Sequence, residues 1–195
     1  MLKNKNVIFF SYICWILDKM DAKKCNIPHL AIETKSWDNQ KGLQSQFVGA
    51  INHGVGTKMY MFDEPLPADS NLNTTIFYHG LVEELKRRKE LNIPWPRVLY
   101  IQCDSASDNK NKSFFMLCEM FVRLGIFAKV KISFLPVGHT HEDIDACFGA
   151  GSHVLHRCNA FNLQEVHKCW RRAWPSTRSF EYISVIVFIN LCAIY

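Results

Sequence analysis

The sequence lacks closely spaced cysteine pairs. Its eight cysteines are far apart, and no two of them form a CxxC pair. Zinc fingers and zinc ribbons hold their metal with cysteine and histidine at short, fixed spacings, and small secreted domains depend on dense disulfide frameworks. The spacing therefore argues against both classes. We expect reduced, mostly buried thiols in an intracellular protein, nuclear or cytoplasmic.

The sequence also lacks an apolar run long enough for a membrane helix, which needs roughly 20 residues. Residues 7–17 follow two lysines, as the apolar part of a signal peptide would, but they run into Asp18 without a small-residue cleavage site. We interpret them as a buried strand and expect no membrane partner. A second apolar stretch, residues 182–195, continues no earlier pattern, so we leave 164–195 unassigned. We interpret this C-terminal segment as truncated or misread, with a final core strand or a short tail anchor as the alternatives for 182–195.

Neither sign of charge dominates the chain. There are 23 Lys and Arg against 18 Asp and Glu, a formal net charge of +5, and 48% of the residues are hydrophobic. This composition is typical of a folded domain and argues against disorder. A mildly basic chain is compatible with nucleic acid as a partner but does not require one. The sequence indicates no oligomeric state.

Hydrophobic periodicity predicts an α/β domain over residues 6–163. Short runs rich in β-branched and aromatic residues indicate strands, and apolar residues three or four apart indicate helices. The predicted order is βββαβαβα, which gives a mixed five-stranded sheet with flanking helices. The strands are predicted at 6–17, 46–53, 58–62, 97–103 and 128–135, and the helices at 73–90, at 110–124 and from Thr140 onward, with a hairpin turn at Gly54 to Gly56.

Acidic residues stand at three positions in this order. Asp18 follows the first predicted strand, Asp104 follows the fourth, and Glu142, Asp143 and Asp145 begin the last helix. Both the element order and the acid positions resemble the ribonuclease H-like fold. An aspartate after a strand is more often a turn former than a ligand. The joint placement of the acids is what favours a functional interpretation.

Three segments carry a more specific resemblance. They are LYIQCD, ending at Asp104, then DNKNK, beginning at Asp108, and SFLPVGHTHEDID, ending at Asp145. They resemble a eukaryotic domain-of-unknown-function family, widespread in transposon-derived proteins, that looks like a DDE-type transposase core. The resemblance runs from about residue 16 to about 163. Two positions depart from the pattern: Lys19 replaces a glycine, and the asparagine expected after Asp104 is either missing or replaced by Ser105.

The resemblance implies a metal-dependent nuclease or transposase acting on DNA. Asp18, Asp104 and Asp145 would be the catalytic, metal-binding triad, with Mg²⁺ or Mn²⁺ as cofactor, since such ions prefer oxygen ligands. A helical wheel places Asp143 nearer the apolar stripe, whereas the family pattern favours Asp145. We take Asp145 as the third ligand and keep Asp143 as the alternative.

Other side chains are candidates for supporting roles. His139 could donate a hydrogen bond near the metal or substrate, and Asn109 and Lys110 could contact a phosphate where a helix opens, although they could equally form a solvated first turn. The departures at Lys19 and Ser105 keep a second hypothesis open. In it, the chain is a domesticated module that binds nucleic acid or protein without catalysis.

Overall fold

A mixed β-sheet flanked by helices forms the centre of the fold. The computed structural model describes residues 11–21, 24, 26–32, 42–62, 70–106, 109–135, 143–174 and 177–182. The strands are β1 (Tyr12–Lys19), β2 (Asn26–Ile27), β3 (Leu43–Gln44), β4 (Gln46–Asn52), β5 (Gly56–Phe62), β6 (Val98–Cys103), β7 (Lys129–Phe134) and β8 (Thr177–Tyr182). The helices are α1 (Ser70–Glu90), α2 (Lys112–Arg123), α3 (Asp143–Leu155) and α4 (Leu163–Ala173).

The main sheet has the strand order β7-β6-β1-β4-β5-β8. Strands β1, β4 and β5 form an antiparallel meander, and β6 and β7 extend it from β1 as parallel strands. All five predicted strands are therefore represented, although residues 6–10 of the first lie outside the described residues, and the predicted turn joins β4 to β5. Strand β8, parallel to β5, adds a sixth strand that we did not predict, and β2 and β3 pair in a small sheet of their own.

Each face of the sheet has its own hydrophobic core. Alternate residues of a strand point to opposite faces, so Trp15 and Leu17 of β1 face one core and Ile16 faces the other. The first core is filled by α1 and α2, and the second by α3 and α4. None of the helices in the described ranges is long and apolar enough to cross a membrane. The described cysteines all carry free thiols, and most of these are buried.

Helix α1 differs from the prediction. Between residues 73 and 90 the sequence sets Leu81, Val82 and Leu85 against charged residues, which predicts an amphipathic helix with a charged outer side. In the structure, however, the Glu84 and Arg88 side chains are only 2% and 7% exposed. Leu85, one of the three apolar residues, is exposed instead. The reason is that the two charged groups neutralise each other in a short ion pair, 2.7 Å from Arg88 Nε to Glu84 Oε1.

Helix α4 lies in the segment that the sequence left unassigned, and it anchors to α3 through Trp170. This side chain is fully buried and packs edge to face on Phe47 and Phe148. A β-carbon built at Gly151 of α3 would overlap the six-membered ring of Trp170. Gly151 is therefore a point of close approach between the two helices.

Two glycines of α3 provide a matched test of this contact. We expect Gly151→Ala to lower the free energy of unfolding by about 1–3 kcal/mol, because the rigid Trp170 ring has no room to move. Gly149→Ala is the control, since its β-carbon would meet no atom within 4 Å. It should raise stability by about 0.5–1 kcal/mol through helix propensity. Urea unfolding of both variants measures the difference, and equal effects would contradict the proposed contact.

Candidate functional site

Asp18 and Asp104 lie side by side at one end of the sheet. Leu17 of β1 pairs with Cys103 of β6 in a parallel register, so the next residues of the two strands are Asp18 and Asp104. Neighbouring positions on parallel strands point the same way, and strands lie about 4.8 Å apart. Both side chains are half-buried. The fold therefore brings together two acids that are far apart in sequence.

Asp18 belongs to β1 rather than following it. The strand continues to Lys19, and Asp18 pairs with Gly49 of β4 on its other side. Its Oδ1 accepts a hydrogen bond of 2.8 Å from the Lys19 amide. The side chain points to the same face as Ile16, which belongs to the core under α3 and α4. Asp18 is thus held by its own pairing with β4 and by the pairing of its neighbour Leu17 with β6.

Asp104 is held by a chain of hydrogen bonds. Its Oδ1 accepts from the Ala106 amide (3.1 Å) and from Asn109 Nδ2 (2.7 Å). The Oδ1 of Asn109 in turn accepts from Asn73 Nδ2 of α1 at 2.9 Å, and both asparagines are buried. This chain fixes the orientation of the Asp104 carboxylate. Sequence reasoning missed Asn73, because a polar residue in a helix does not indicate which distant loop it will contact.

Helix α3 crosses the sheet close to Asp18. Ile144 in its first turn is fully buried against Gly49, where a β-carbon would overlap the Ile144 side chain. Gly49 is the pairing partner of Asp18, so the absence of a side chain there lets the helix approach this acid.

The environment of α3 separates the two candidates for the third ligand. Asp143 and Asp145 flank Ile144 at about 100° on either side of the helix axis. Asp143, the first residue of the helix, is exposed, whereas Asp145 is half-buried. Asp145 is therefore the more enclosed acid, although the helical wheel had placed Asp143 nearer the apolar stripe.

The residues predicted for supporting roles differ in where the structure places them. His139, Glu142 and Asp108 fall outside the described residues. Lys110 is exposed, with its Nζ 5.5 Å from the ring centroid of Phe134, a residue that also contacts Phe115 of α2. The Lys110 side chain thus lies over Phe134, whereas its neighbour Asn109 contacts Asp104 directly.

The donor set fits a hard divalent cation in part. Asp18 and Asp104 supply carboxylate oxygens, which Mg²⁺ and Mn²⁺ prefer. Both hydrogen bonds that Asp104 accepts from described residues fall on Oδ1. Within the described ranges, however, no group of three His, Cys, Asp or Glu side chains lies close enough together to hold a metal ion. The geometry thus provides a pair of acids and does not assemble the predicted triad among these residues.

A thiol also lies near the site but does not resemble a ligand. Cys147, one turn along α3 from Ile144, is buried, and this burial raises the pKa of its thiol to about 11. Metal binding and nucleophilic attack both require the thiolate. At neutral pH the Cys147 thiol is protonated and acts as a small apolar group.

Comparison with known proteins gives a family but no function. No curated protein matches the sequence. The model of a family described as Domain of unknown function (DUF7869) matches residues 35–191. The match includes Asp104 and Asp145, leaves out Asp18, and extends into the C-terminal segment that contains α4 and β8. Because it covers most of the chain, this protein belongs to the family Domain of unknown function (DUF7869).

Proposed function

We propose that this chain is a ribonuclease H-like, transposon-derived domain of the DDE nuclease and transposase type, which acts on DNA phosphodiester bonds with Mg²⁺ or Mn²⁺. One observation carries the proposal. Asp18 and Asp104 stand in register at the ends of adjacent parallel strands and point to the same face, beside the first turn of α3. A pair of acids at neighbouring strand ends is a suitable bridge between divalent ions.

The sheet topology supports the same proposal. The chain forms an antiparallel meander of three strands, then a helix, and then two further strands parallel to the first. The candidate acids stand at the end of the first meander strand, just after β6, and on the late helix α3. This is the combination of element order and acid placement that led us to the ribonuclease H-like resemblance.

The protein groups have separable roles in this proposal. Bound divalent ions would activate the attacking oxygen and stabilise the leaving oxygen of the phosphodiester. Asp18 and Asp104 would hold the ions, and Asp145 would complete the ligand set. Asn109 would keep the Asp104 carboxylate in one rotamer through its 2.7 Å hydrogen bond, and Asn73 would do the same for Asn109. Such outer hydrogen bonds orient ligands and tune metal sites.

A non-catalytic binding module is the second candidate. Two observations favour it: the described residues contain no three-donor cluster, and Ser105 replaces an expected asparagine. The Ser105 hydroxyl donates to the Leu135 carbonyl at 2.7 Å, so it joins the ends of β6 and β7 instead of facing a cation. A module of this kind would bind DNA without needing its acids.

Metal titration by calorimetry distinguishes the two candidates. We expect Mn²⁺ to bind the wild-type chain in the presence of a short phosphorothioate DNA, which resists cleavage, and binding to be lost in the Asp18→Ala/Asp104→Ala variant. Removing two carboxylates elsewhere, in Glu90→Ala/Glu119→Ala, should leave binding unchanged, because both glutamates are exposed on helices away from the site. This control measures non-specific attraction of cations.

The same titration tests the third ligand. Asp145→Ala should weaken Mn²⁺ binding by about 10-fold or more, while Asp143→Ala, at an exposed position, should have little effect. Wild-type protein that binds DNA but no Mn²⁺, or equal Mn²⁺ binding by the double aspartate variant, would contradict the nuclease proposal. Either result would favour the binding module.

A further inference from the structure

On β6 and β7, the side chains on the α3 side of the sheet belong to neither core of the described residues. The core under α3 and α4 draws its main-sheet residues from β1, β4 and β5, and none from β6 or β7. On β6 and β7, the residues that face the same way as Asp104 are half-buried or exposed. We call this surface the open face; with Tyr12 of β1, it consists of Tyr12, Val98, Tyr100, Gln102, Lys129, Lys131 and Ser133.

Aromatic and cationic groups are combined on the open face. The rings of Tyr12 and Tyr100 meet edge to face at 5.4 Å, and Tyr12 is 40% exposed. Lys131 places its Nζ 4.9 Å from the Tyr100 ring centroid and donates to the Tyr100 hydroxyl at 3.2 Å. Tyr100 therefore positions both neighbours. An exposed ring beside a fixed cation is suited to a base and its phosphate.

The charge of the open face is positive at the end away from the acids. Lys129 and Lys131 are both exposed, and among the described residues neither forms an ion pair with a carboxylate. They lie on β7, which has no further partner at that edge of the described sheet. An anion that approaches this edge therefore meets two cations that no carboxylate of the described residues neutralises. Asp18 and Asp104 form the opposite, negative end.

From these contacts we infer that the open face binds a single strand of DNA, which runs from Tyr12 and Lys131 toward Asp18 and Asp104. Asp104 is four positions after Tyr100, a distance of roughly 13 Å at about 3.3 Å per strand residue. The direction of the strand rests on the proposed function, but the binding surface does not.

The aromatic contact argues for a single strand over a duplex. A tyrosine ring on a flat sheet can stack with a base only if that base is free of its own neighbours. In a duplex the bases are paired and stacked, so only the lysines would contribute. Pairing of β7 with a second copy of the chain is the competing use of this edge, and it predicts self-association in place of DNA binding.

Fluorescence anisotropy with a labelled single-stranded 20-mer of thymidine, in EDTA, tests the inference. We expect Lys129→Met/Lys131→Met to weaken binding by about 10-fold or more and to reduce the slope of log affinity against log salt by about 1.4, which corresponds to two phosphates. The control is Lys89→Met/Lys168→Met, which removes two exposed charges from α1 and α4 and should change binding much less.

Tyrosine variants separate stacking from charge. Tyr12→Ala should weaken binding by about 10-fold with little change in the salt slope, and Tyr12→Phe should retain the affinity. The inference would be overturned if Lys129→Met/Lys131→Met and Lys89→Met/Lys168→Met lost DNA affinity equally, or if neither lost any. A wild-type dimer in sedimentation velocity that Lys129→Met/Lys131→Met dissociates, without DNA binding, would assign the edge to self-association instead.

The conditions keep this inference distinguishable from the proposed function. DNA binding in EDTA needs neither the metal nor the acids. If the chain binds DNA through the open face but does not cleave it, that result contradicts the nuclease proposal and leaves the inferred binding surface intact. If cleavage depends on Asp104 but the open-face variants change neither DNA binding nor cleavage, that result contradicts the inferred binding surface and leaves the nuclease proposal intact.

Discussion

Asp104→Asn should reduce Mn²⁺-dependent cleavage of DNA by about 10³-fold, equivalent to roughly 4 kcal/mol of transition-state stabilisation. The replacement keeps an oxygen that can accept the hydrogen bonds from Asn109 and the Ala106 amide, so the local structure should survive. It removes the negative charge that a divalent ion requires. The measurement is the single-turnover rate on an end-labelled DNA hairpin, with Mg²⁺ and Mn²⁺ compared.

Two controls make this result specific. Glu119→Asn also removes one carboxylate, but from an exposed surface pair with Arg123, and should leave the rate unchanged. Urea unfolding of Asp104→Asn should show stability close to wild type. A folded Asp104→Asn variant that cleaves at the wild-type rate would exclude Asp104 as a metal ligand.

Glu84→Ala should lower the free energy of unfolding by about 3–5 kcal/mol. Glu84 is almost fully buried and accepts hydrogen bonds from Arg87 (2.8 Å) and from Arg88 (2.7 Å). Arg87 is partly exposed and can turn to water, but the Arg88 side chain is only 7% exposed. Without Glu84, Arg88 keeps its hydrogen bond to the Pro94 carbonyl but loses its counter-charge. The energetic effect therefore comes from a buried, unpaired cation.

Exposed ion pairs provide the comparison for Glu84. Glu119→Ala breaks a pair whose side chains are 58% and 78% exposed, and it should change stability by less than about 1 kcal/mol. Glu84→Leu/Arg88→Leu removes both buried charges and should be less destabilised than Glu84→Ala, since no lone charge remains. Urea midpoints measure all three variants. A double variant as unstable as Glu84→Ala would show that packing, and not charge, dominates.

Five strands of the main sheet, β1, β4, β5, β6 and β7, could be predicted from the sequence because their apolar patterns are local. Hairpin β4-β5 follows from two short apolar runs around Gly54 to Gly56, and helix α2 follows from its apolar spacing and from Gly125, which has a positive φ of 70°. Asn111 caps that helix by accepting from the Phe114 amide. Each of these signals lies within a few residues of the element that it specifies.

Features that depend on distant contacts could not be predicted. Strand β8 is defined by its pairing with β5. Helix α4 did carry a local signal, because Leu163, Val166 and Trp170 recur at helical spacing after the capping residue Asn162, but the sequence interpretation did not use it. Glu84 and Arg88 are buried because they pair with each other. A hydrophobicity pattern predicts that charged residues are exposed, so it cannot indicate this burial. For the site, sequence order placed Asp18 and Asp104 at strand ends, but only the β1-β6 register makes them neighbours.

The β1-β6 register has a consequence for biosynthesis. Strand β1 leaves the ribosome early, yet its parallel neighbour β6 follows only after the β4-β5 hairpin and all of α1. Because chains emerge from the N-terminus, the meander can pair first, with one edge of β1 still open. The two acids become neighbours only when β6 closes that edge. A nascent chain would therefore carry an incomplete acid pair until the centre of the sheet has been assembled.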